Sequence, residues 1–288
     1  MNNTSPSLSL KHTLVGIDSD GCVFDTMGVK QRNYFAPLIV EYWHLEALRD
    51  AVVKRVDFLN LASIHRGQNR YPNLLRLFEM LHALPGTETA GITLPPMDAL
   101  RAYCTSGLPL GHPSLKAEVE RTKDPELAHV YAWSLAVNKA IHDKMPPVPP
   151  FRWALKSLEL IAQNSDAVVI SQTPSEALHK EWELHNVKQF VRHIAGQEEG
   201  TKTQQLRNAC GDQYARGSVI MIGDAPGDAK AARETDSLFF PILPGHEEAA
   251  WERFHDEAYP LFLKGEYTVA YQNDRLAEFN ACLPSEFK

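Results

Sequence analysis

The sequence predicts an α/β protein: a parallel sheet wrapped by helices, interrupted after its first strand by a long all-α insertion. Three observations carry this. Short apolar runs at Leu14 to Ile17, Asp166 to Ser171 and Ser218 to Ile222 have the length and composition of strands buried on both faces. From Phe151 onward such runs alternate with helical patterns, as crossover helices in a parallel sheet require. Between Val29 and Lys144 the pattern is helical, with no convincing strand.

The first run delivers Asp18 and Asp20 at its carboxyl end, and Gly21 lets the chain turn at once. Two carboxylates so close repel each other, which calls for a cation or a shared proton. A solvated acidic turn is the plainer alternative. It loses weight because a second acidic turn, Gly223-Asp224-Ala-Pro-Gly-Asp228, follows another predicted strand far downstream.

In the insertion, Tyr34, Phe35, Leu38, Ile39, Tyr42, Leu45 and Leu48 form a helical stripe, with a kink or break expected near Pro37. Pro72, Pro96, Pro113 and Pro125 each open a further helix, where a missing N–H costs nothing. Met145 to Pro150, Met-Pro-Pro-Val-Pro-Pro, is a stiff extended strap that ends the module. Beyond it come helix Phe151 to Gln163, strand Asp166 to Ser171, helix Pro174 to His185 and strand Phe190 to Ala195. Helix Lys202 to Ala209, strand Ser218 to Ile222 and helix Ala229 to Glu234 follow. Ser237 to Leu243 is a last strand, placed at an edge by Pro241, and the tail from Glu247 is mainly helical. The domain division is 1–27 with 151–288 for the α/β core and 28–150 for the helical module.

The composition is ordinary for a globular protein and leaves a small acidic substrate possible. The chain has 288 residues, 44% apolar and 23% charged, enough for a packed core without disulfides. A net charge of -7 argues against a nucleic-acid or membrane-surface partner. No apolar stretch is long enough to span a bilayer. Cys22, Cys104, Cys210 and Cys282 are scattered without metal-ligand spacing, so reduced thiols and a cytoplasmic location are expected. Met1 to Leu10 has no signal-peptide pattern and is taken as a loose tail. Monomer and homodimer remain open.

Four elements follow predicted strands: Asp18-x-Asp20, Ser171, Lys202, and Asp224 with Asp228. The carboxyl ends of parallel strands share one edge, so these residues can meet. Carboxylates with one lysine form a hard oxygen set suited to Mg²⁺. In this order they resemble the four motifs of the haloacid dehalogenase superfamily, over residues 13–27 and 151–243. The helical module resembles that superfamily's first-type cap on a Rossmann-like core. The resemblance implies that Asp18 is a nucleophile taking the phosphoryl group, and that Asp20 is first general acid and then base. It also implies that Ser171 and the backbone amide of Gln172 bind the phosphoryl group, and that Lys202 pairs with Asp18. Asp18, the Asp20 carbonyl, Asp224 and Asp228 are implied around Mg²⁺, Asp228 either as a ligand or through a water. Asp20 favours the phosphatase branch, since dehalogenating members lack it. Cys22 stands where threonine is common, and the lysine segment lacks the frequent Lys-Pro pair.

The expected reaction is hydrolysis of a small phosphorylated metabolite. A phosphosugar mutase and a phosphonoacetaldehyde hydrolase-like enzyme are alternatives, the second needing a Schiff-base lysine such as Lys30 or Lys54. A non-catalytic phosphometabolite-binding protein is a further one. In the module, His65 to Arg70 is the most polar stretch, and Arg66 or Arg70 is a candidate to grip a carboxylate or second phosphate of the leaving group, against the plainer reading of a solvated loop. Asp25, His112 and His246 are read as ordinary loop residues, and Tyr131, Trp133 and Trp153 as packing aromatics.

Overall fold

The computed structural model describes residues 10–85 and 92–287. The tail expected over Met1 to Leu10 lies, Leu10 apart, outside them. The chain runs β1 (Leu14–Ile17), then α1 (Thr26–Lys30), α2 (Ala36–Tyr42), α3 (Arg49–Leu61), α4 (Arg70–His82), α5 (Asp98–Thr105), α6 (His112–Thr122) and α7 (Pro125–Lys144). It continues through α8 (Arg152–Asn164), β2 (Asp166–Ile170), α9 (Ser175–Leu184), β3 (His193–Ala195), α10 (Lys202–Cys210), β4 (Val219–Gly223), α11 (Pro226–Glu234) and β5 (Leu238–Pro241). Three helices close it: α12 (Glu247–Arg253), α13 (Tyr259–Lys264) and α14 (Val269–Ala281). Two compact units result. One comprises the chain up to Asp25 and Val148–Cys282; the other comprises Thr26–Pro147 and the chain from Leu283 on.

The first unit is an α/β core with a five-stranded sheet in the order β3-β2-β1-β4-β5, every pairing parallel. The central strand β1 is buried along its length, as an apolar run covered on both faces must be. It pairs Ile17 with Val169 of β2 and with Ile222 of β4. The chain builds outward from β1 through β2 to β3 on one side, then through β4 to β5 on the other. The order therefore reverses between β1 and β4, and in such sheets ligands bind outside the strand ends at that reversal. Gly16 has a packing reason: a Cβ there would come within 3.0 Å of Met221 Sδ and 3.1 Å of Leu206 Cδ1. Its absence lets α10 lie close over the sheet.

Pro241 ends β5, an edge strand, where a missing N–H breaks no ladder. The strand expected from Phe190 narrows to His193–Ala195, because Lys188–Phe190 winds a 3₁₀ turn. The mainly helical tail resolves into α12 to α14.

The second unit is all-helical among its described residues. Its core gathers Trp133, Tyr71, Phe78, Tyr103 and aliphatic residues of α2 to α7. The break expected near Pro37 is a π-helical turn, Gln31–Phe35, just before it, a register change that suits a residue without an N–H. Asp124 caps α7 by accepting from Glu126 N and Leu127 N at 2.8 and 3.0 Å, with Pro125 in the first turn. At Pro96 the helix starts two residues later, after Met97 in a left-handed conformation. One assignment needs correcting: residues 283–287, given to the α/β core by the sequence, pack with the helical unit. Phe287 stacks edge-on against Phe58 at 5.2 Å and lies under the Arg55 guanidinium, and Pro284 O accepts from Ile64 N.

Candidate active site

The carboxyl end of β1 is locked by its own turn. Gly21 adopts φ 80°, and the amides of Cys22, Val23 and Phe24 converge on Ser19 O. Trp182 Nε1 donates to Ser19 Oγ at 3.0 Å, and Trp251 Nε1 to Cys22 O at 2.8 Å. This rigid loop presents Asp18, only 5% exposed, one residue beyond the strand. Its amide donates to Ile222 O at 3.0 Å, so the β1–β4 ladder continues into the site. Asp224 follows β4 in the neighbouring position. Asp228, in the first turn of α11, accepts from Ala225 N at 3.0 Å.

Asp18, Asp224 and Asp228 are all buried, and each offers an oxygen within 4.8 Å of the others. A Cβ on Gly223 would lie 2.3 Å from Asp228 Cγ, so the close fold of β4 onto α11 needs glycine there. Lys202 opens α10, held by a capping box between Thr201 and Gln204. Its Nζ sits 2.8 Å from Asp18 Oδ2 and 2.6 Å from Asp228 Oδ1.

Burial pushes the Asp18 carboxyl well above its ordinary range. Lys202 pulls it back less than burial raises it, and Asp228 and Asp224 add to the rise. Burial raises Asp228 likewise. Burial would lower the Lys202 ammonium, but the two carboxylates outweigh it and hold the amine charged. With all three ionised, the carboxylates outnumber the one ammonium in this buried cluster. That donor set fits a small, hard divalent cation such as Mg²⁺. Burial and the same acids raise the Cys22 thiol, which disqualifies it as a nucleophile.

Asp20 is half-buried and accepts from Thr173 Oγ1 at 2.7 Å. Ser171 is buried one residue past β2, and its Oγ accepts from Thr173 N at 3.2 Å. Gln172 is exposed and donates to Gly200 O at 2.9 Å. Thr173 and Gln205 were not singled out from the sequence. Gln205 Nε2 donates to Ser171 O, Gly196 O and Gly200 O at 2.9, 2.7 and 3.1 Å, tying the loop after β2 to the loop that carries Lys202. The signals available were thin: Thr173 is two residues past Ser171, and Gln205 is one helical turn past Lys202.

Arg66 and Arg70 lie in the helical unit. Arg66 is buried, with Nη1 donating to Leu61 O at 2.7 Å. Arg70 is half-buried on α4, with Nη1 donating to Asn138 Oδ1 at 2.8 Å. His112 Nε2 is 2.7 Å from Ser134 Oγ, while Asp25 and His246 are exposed. No helix among the described residues is long and apolar enough to cross a membrane.

No family model and no curated protein matches the chain. Solved structures similar to it include a haloacid dehalogenase-like hydrolase from Streptococcus pneumoniae, at 16% identity and TM-score 0.44, covering 85% of this chain and 91% of that one. A "predicted phosphoglycolate phosphatase" from Haemophilus somnus is 12% identical at TM-score 0.47, covering 82% and 87%. The hydrolase YfnB from Bacillus subtilis, solved with magnesium bound, is 11% identical at TM-score 0.44, covering 81% and 87%. The parallel sheet is the α/β core that the sequence predicts, and Asp18, Lys202, Asp224 and Asp228 meet beyond the carboxyl ends of its strands.

Proposed function

We propose that the chain is a Mg²⁺-dependent phosphohydrolase acting on a small phosphorylated metabolite through an aspartyl-phosphate at Asp18. One observation carries this: a buried carboxylate at the end of β1, paired with a lysine and set beside two further buried carboxylates at the strand reversal. Asp18, Asp224 and the Asp20 carbonyl would hold the cation. Bound there, Mg²⁺ would neutralise charge on the phosphoryl oxygens. Both Asp228 oxygens already accept hydrogen bonds, from Lys202 and from Ala225 N. That favours Asp228 as the residue that holds Lys202 and a metal-bound water, rather than as a direct ligand.

In the first step an Asp18 oxygen attacks phosphorus in line with the leaving oxygen. The Oδ–P bond forms, the ester P–O bond breaks, and Asp20 gives its proton to the leaving oxygen. In the second step Asp20 takes a proton from water, whose oxygen attacks phosphorus and releases phosphate and Asp18. Lys202 favours the ionised form of Asp18 and orients it, and the Ser171 hydroxyl with the Gln172 amide would bind phosphoryl oxygens. Phosphate release from a panel of phosphorylated sugars, short acids and nucleotides tests the reading. It requires turnover that Mg²⁺ supports, EDTA removes and Asp18→Asn abolishes; turnover insensitive to Asp18→Asn refutes it.

A further inference from the structure

Thr173 ties together three parts of the α/β unit through three of its own polar groups. It lies two residues past Ser171, in the bend between β2 and α9, and is half-buried. Its amide donates to Ser171 Oγ at 3.2 Å, and its carbonyl accepts from Gln197 N at 3.1 Å. Its hydroxyl donates to Asp20 Oδ2 at 2.7 Å, across 153 residues of sequence. That length suits a hydroxyl donating to a carboxylate. The local sequence stiffens the residue that makes this reach. Pro174 follows, and a proline disfavours the helical region for the residue before it. Thr173 is also β-branched, which restricts its χ1. A threonine hydroxyl beside a helix start ordinarily turns back to cap it. Here Glu198 does that work: its Oε2 accepts from Ser175 N at 3.0 Å and from Ser175 Oγ at 2.8 Å. The Thr173 hydroxyl is committed instead to the turn after β1.

We infer that Thr173 is a positioning residue for proton transfer: its hydroxyl aims the Asp20 carboxyl at the leaving oxygen and then at the attacking water. The inference rests on the reading of Asp20 as acid and base; the tie between the two side chains does not. An aspartate needs such a guide, because its χ2 is broad and roughly two-fold, so the backbone alone does not fix where its oxygens point. A misplacement of about 1 Å costs on the order of a hundredfold in rate. In the first step the Asp20 proton passes to the leaving oxygen, which keeps the electron pair of the broken P–O bond. In the second step a proton of the attacking water returns to Asp20. Thr173 keeps its own proton throughout and donates to Oδ2 in both steps. Its amide holds Ser171 Oγ from the same bend, so one residue sets the spacing between the phosphoryl-binding hydroxyl and the proton carrier. The amide tie belongs to the backbone, so a change of side chain breaks only the contact to Asp20.

The test uses the full chain with Mg²⁺ and two variants: Thr173→Val, which removes the hydroxyl, and Thr173→Ser, which keeps it. Two probes of similar size are compared, 4-nitrophenyl phosphate and benzyl phosphate. The first releases a stabilised phenolate and needs little protonation; the second releases an alkoxide and depends on the acid. Because kcat/KM covers the steps up to the phospho-Asp18 intermediate, it reports the proton given to the leaving oxygen. In Thr173→Val it is expected to fall about 10- to 100-fold for benzyl phosphate and about threefold or less for 4-nitrophenyl phosphate. Thr173→Ser is expected to recover most of that loss. An equal fall on both esters, no fall on either, or a fall that Thr173→Ser does not recover overturns the inference. If Thr173→Val fails to fold by circular dichroism, Thr173→Ala takes its place. A crystal structure of the variant supplies a readout independent of turnover. The Asp20 carboxyl is expected to rotate from its place, and an unmoved carboxyl overturns the inference. Wild-type protein that releases phosphate from neither probe nor any ester of the panel defeats the reaction at Asp18. A displaced Asp20 carboxyl in the variant then leaves the positioning by Thr173 standing.

Discussion

Lys202 Nζ stands 2.8 Å from Asp18 Oδ2, an ion pair with both side chains almost out of solvent at 16% and 7% exposure. A buried pair loses more when one partner is removed than it contributes intact, because the other charge is stranded. Lys202→Met in metal-free protein is expected to cost about 3 kcal/mol of stability, and added Mg²⁺ to return part of it. Phosphate release should fall at least a hundredfold, on the order that loss of a preorganised charge costs. Chemical denaturation with and without MgCl₂, beside a phosphate-release assay, checks both.

The raised carboxyls of Asp18 and Asp228 set the pH dependence of the metal-free fold. A carboxyl whose folded pKa exceeds its unfolded value binds protons more tightly when folded, so it adds stability at low pH and loses it as pH rises. The loss begins near the ordinary value of 3.8 and runs up through the raised folded pKa. With EDTA present, these two groups are expected to lower the thermal midpoint progressively from pH 5 to pH 8. Mg²⁺, which competes with those protons, should raise the midpoint more at pH 8 than at pH 5. Asp224→Asn should remove most of the Mg²⁺ effect. A Mg²⁺ shift that is larger at pH 5 contradicts the assignment.

Gly223→Ala drives a methyl group into Asp228, 2.3 Å from its Cγ. Asp228 or the start of α11 must move by about an ångström, a misplacement that costs on the order of a hundredfold in rate. Overpacking should also cost about 1–3 kcal/mol. Calorimetric titration of Mg²⁺ and steady-state kinetics on the purified variant would expose the change; wild-type kinetics would show that Asp228 is not held where the mechanism needs it.

Gln205→Leu strips one amide from three backbone carbonyls, those of Ser171, Gly196 and Gly200. Each carbonyl keeps a second donor, Gln172 Nε2 at Ser171 O and Gly200 O and Glu199 N at Gly196 O, so the loss is of hydrogen bonds worth about 0.5–1.5 kcal/mol each. Because Gln205 touches no reacting atom, its effect should reach catalysis through the Ser171 loop and appear as a raised KM beside a lower kcat. Gln205→Glu, which cannot donate when ionised, should behave like Leu at pH 8.

The α/β core was legible because buried parallel strands must be nearly all apolar. Leu14 to Ile17 and Val219 to Ile222 announce themselves, and their order places Asp18 beside Asp224. Lys202 and Asp228 could be named because they match the ordered motifs that the sequence resembles. Thr173 and Gln205 could not: both work through polar contacts to loops distant in sequence, and nothing in their neighbours marks those contacts. The strand at Phe190 was overrun because an apolar residue in a 3₁₀ turn looks the same as one in a strand. Residues 283–287 were misassigned for a related reason. Their place is decided by Phe287 meeting Phe58 and Arg55, a match of surfaces that periodicity does not encode.

That return of the last residues bears on how the protein can be cut and recombined. An insertion joined at two points behaves as a cassette, removable by one excision and replaceable by another sequence of similar span. Here Pro284 and Phe287 arrive from the far end of the chain and belong to the same packing unit as α3. A chimaera that exchanged 26–147 alone would leave Pro284 and Phe287 without Ile64, Phe58 and Arg55, and a helical fragment expressed alone would lack one of its own pieces. Any transplantation of this unit must therefore move both segments together.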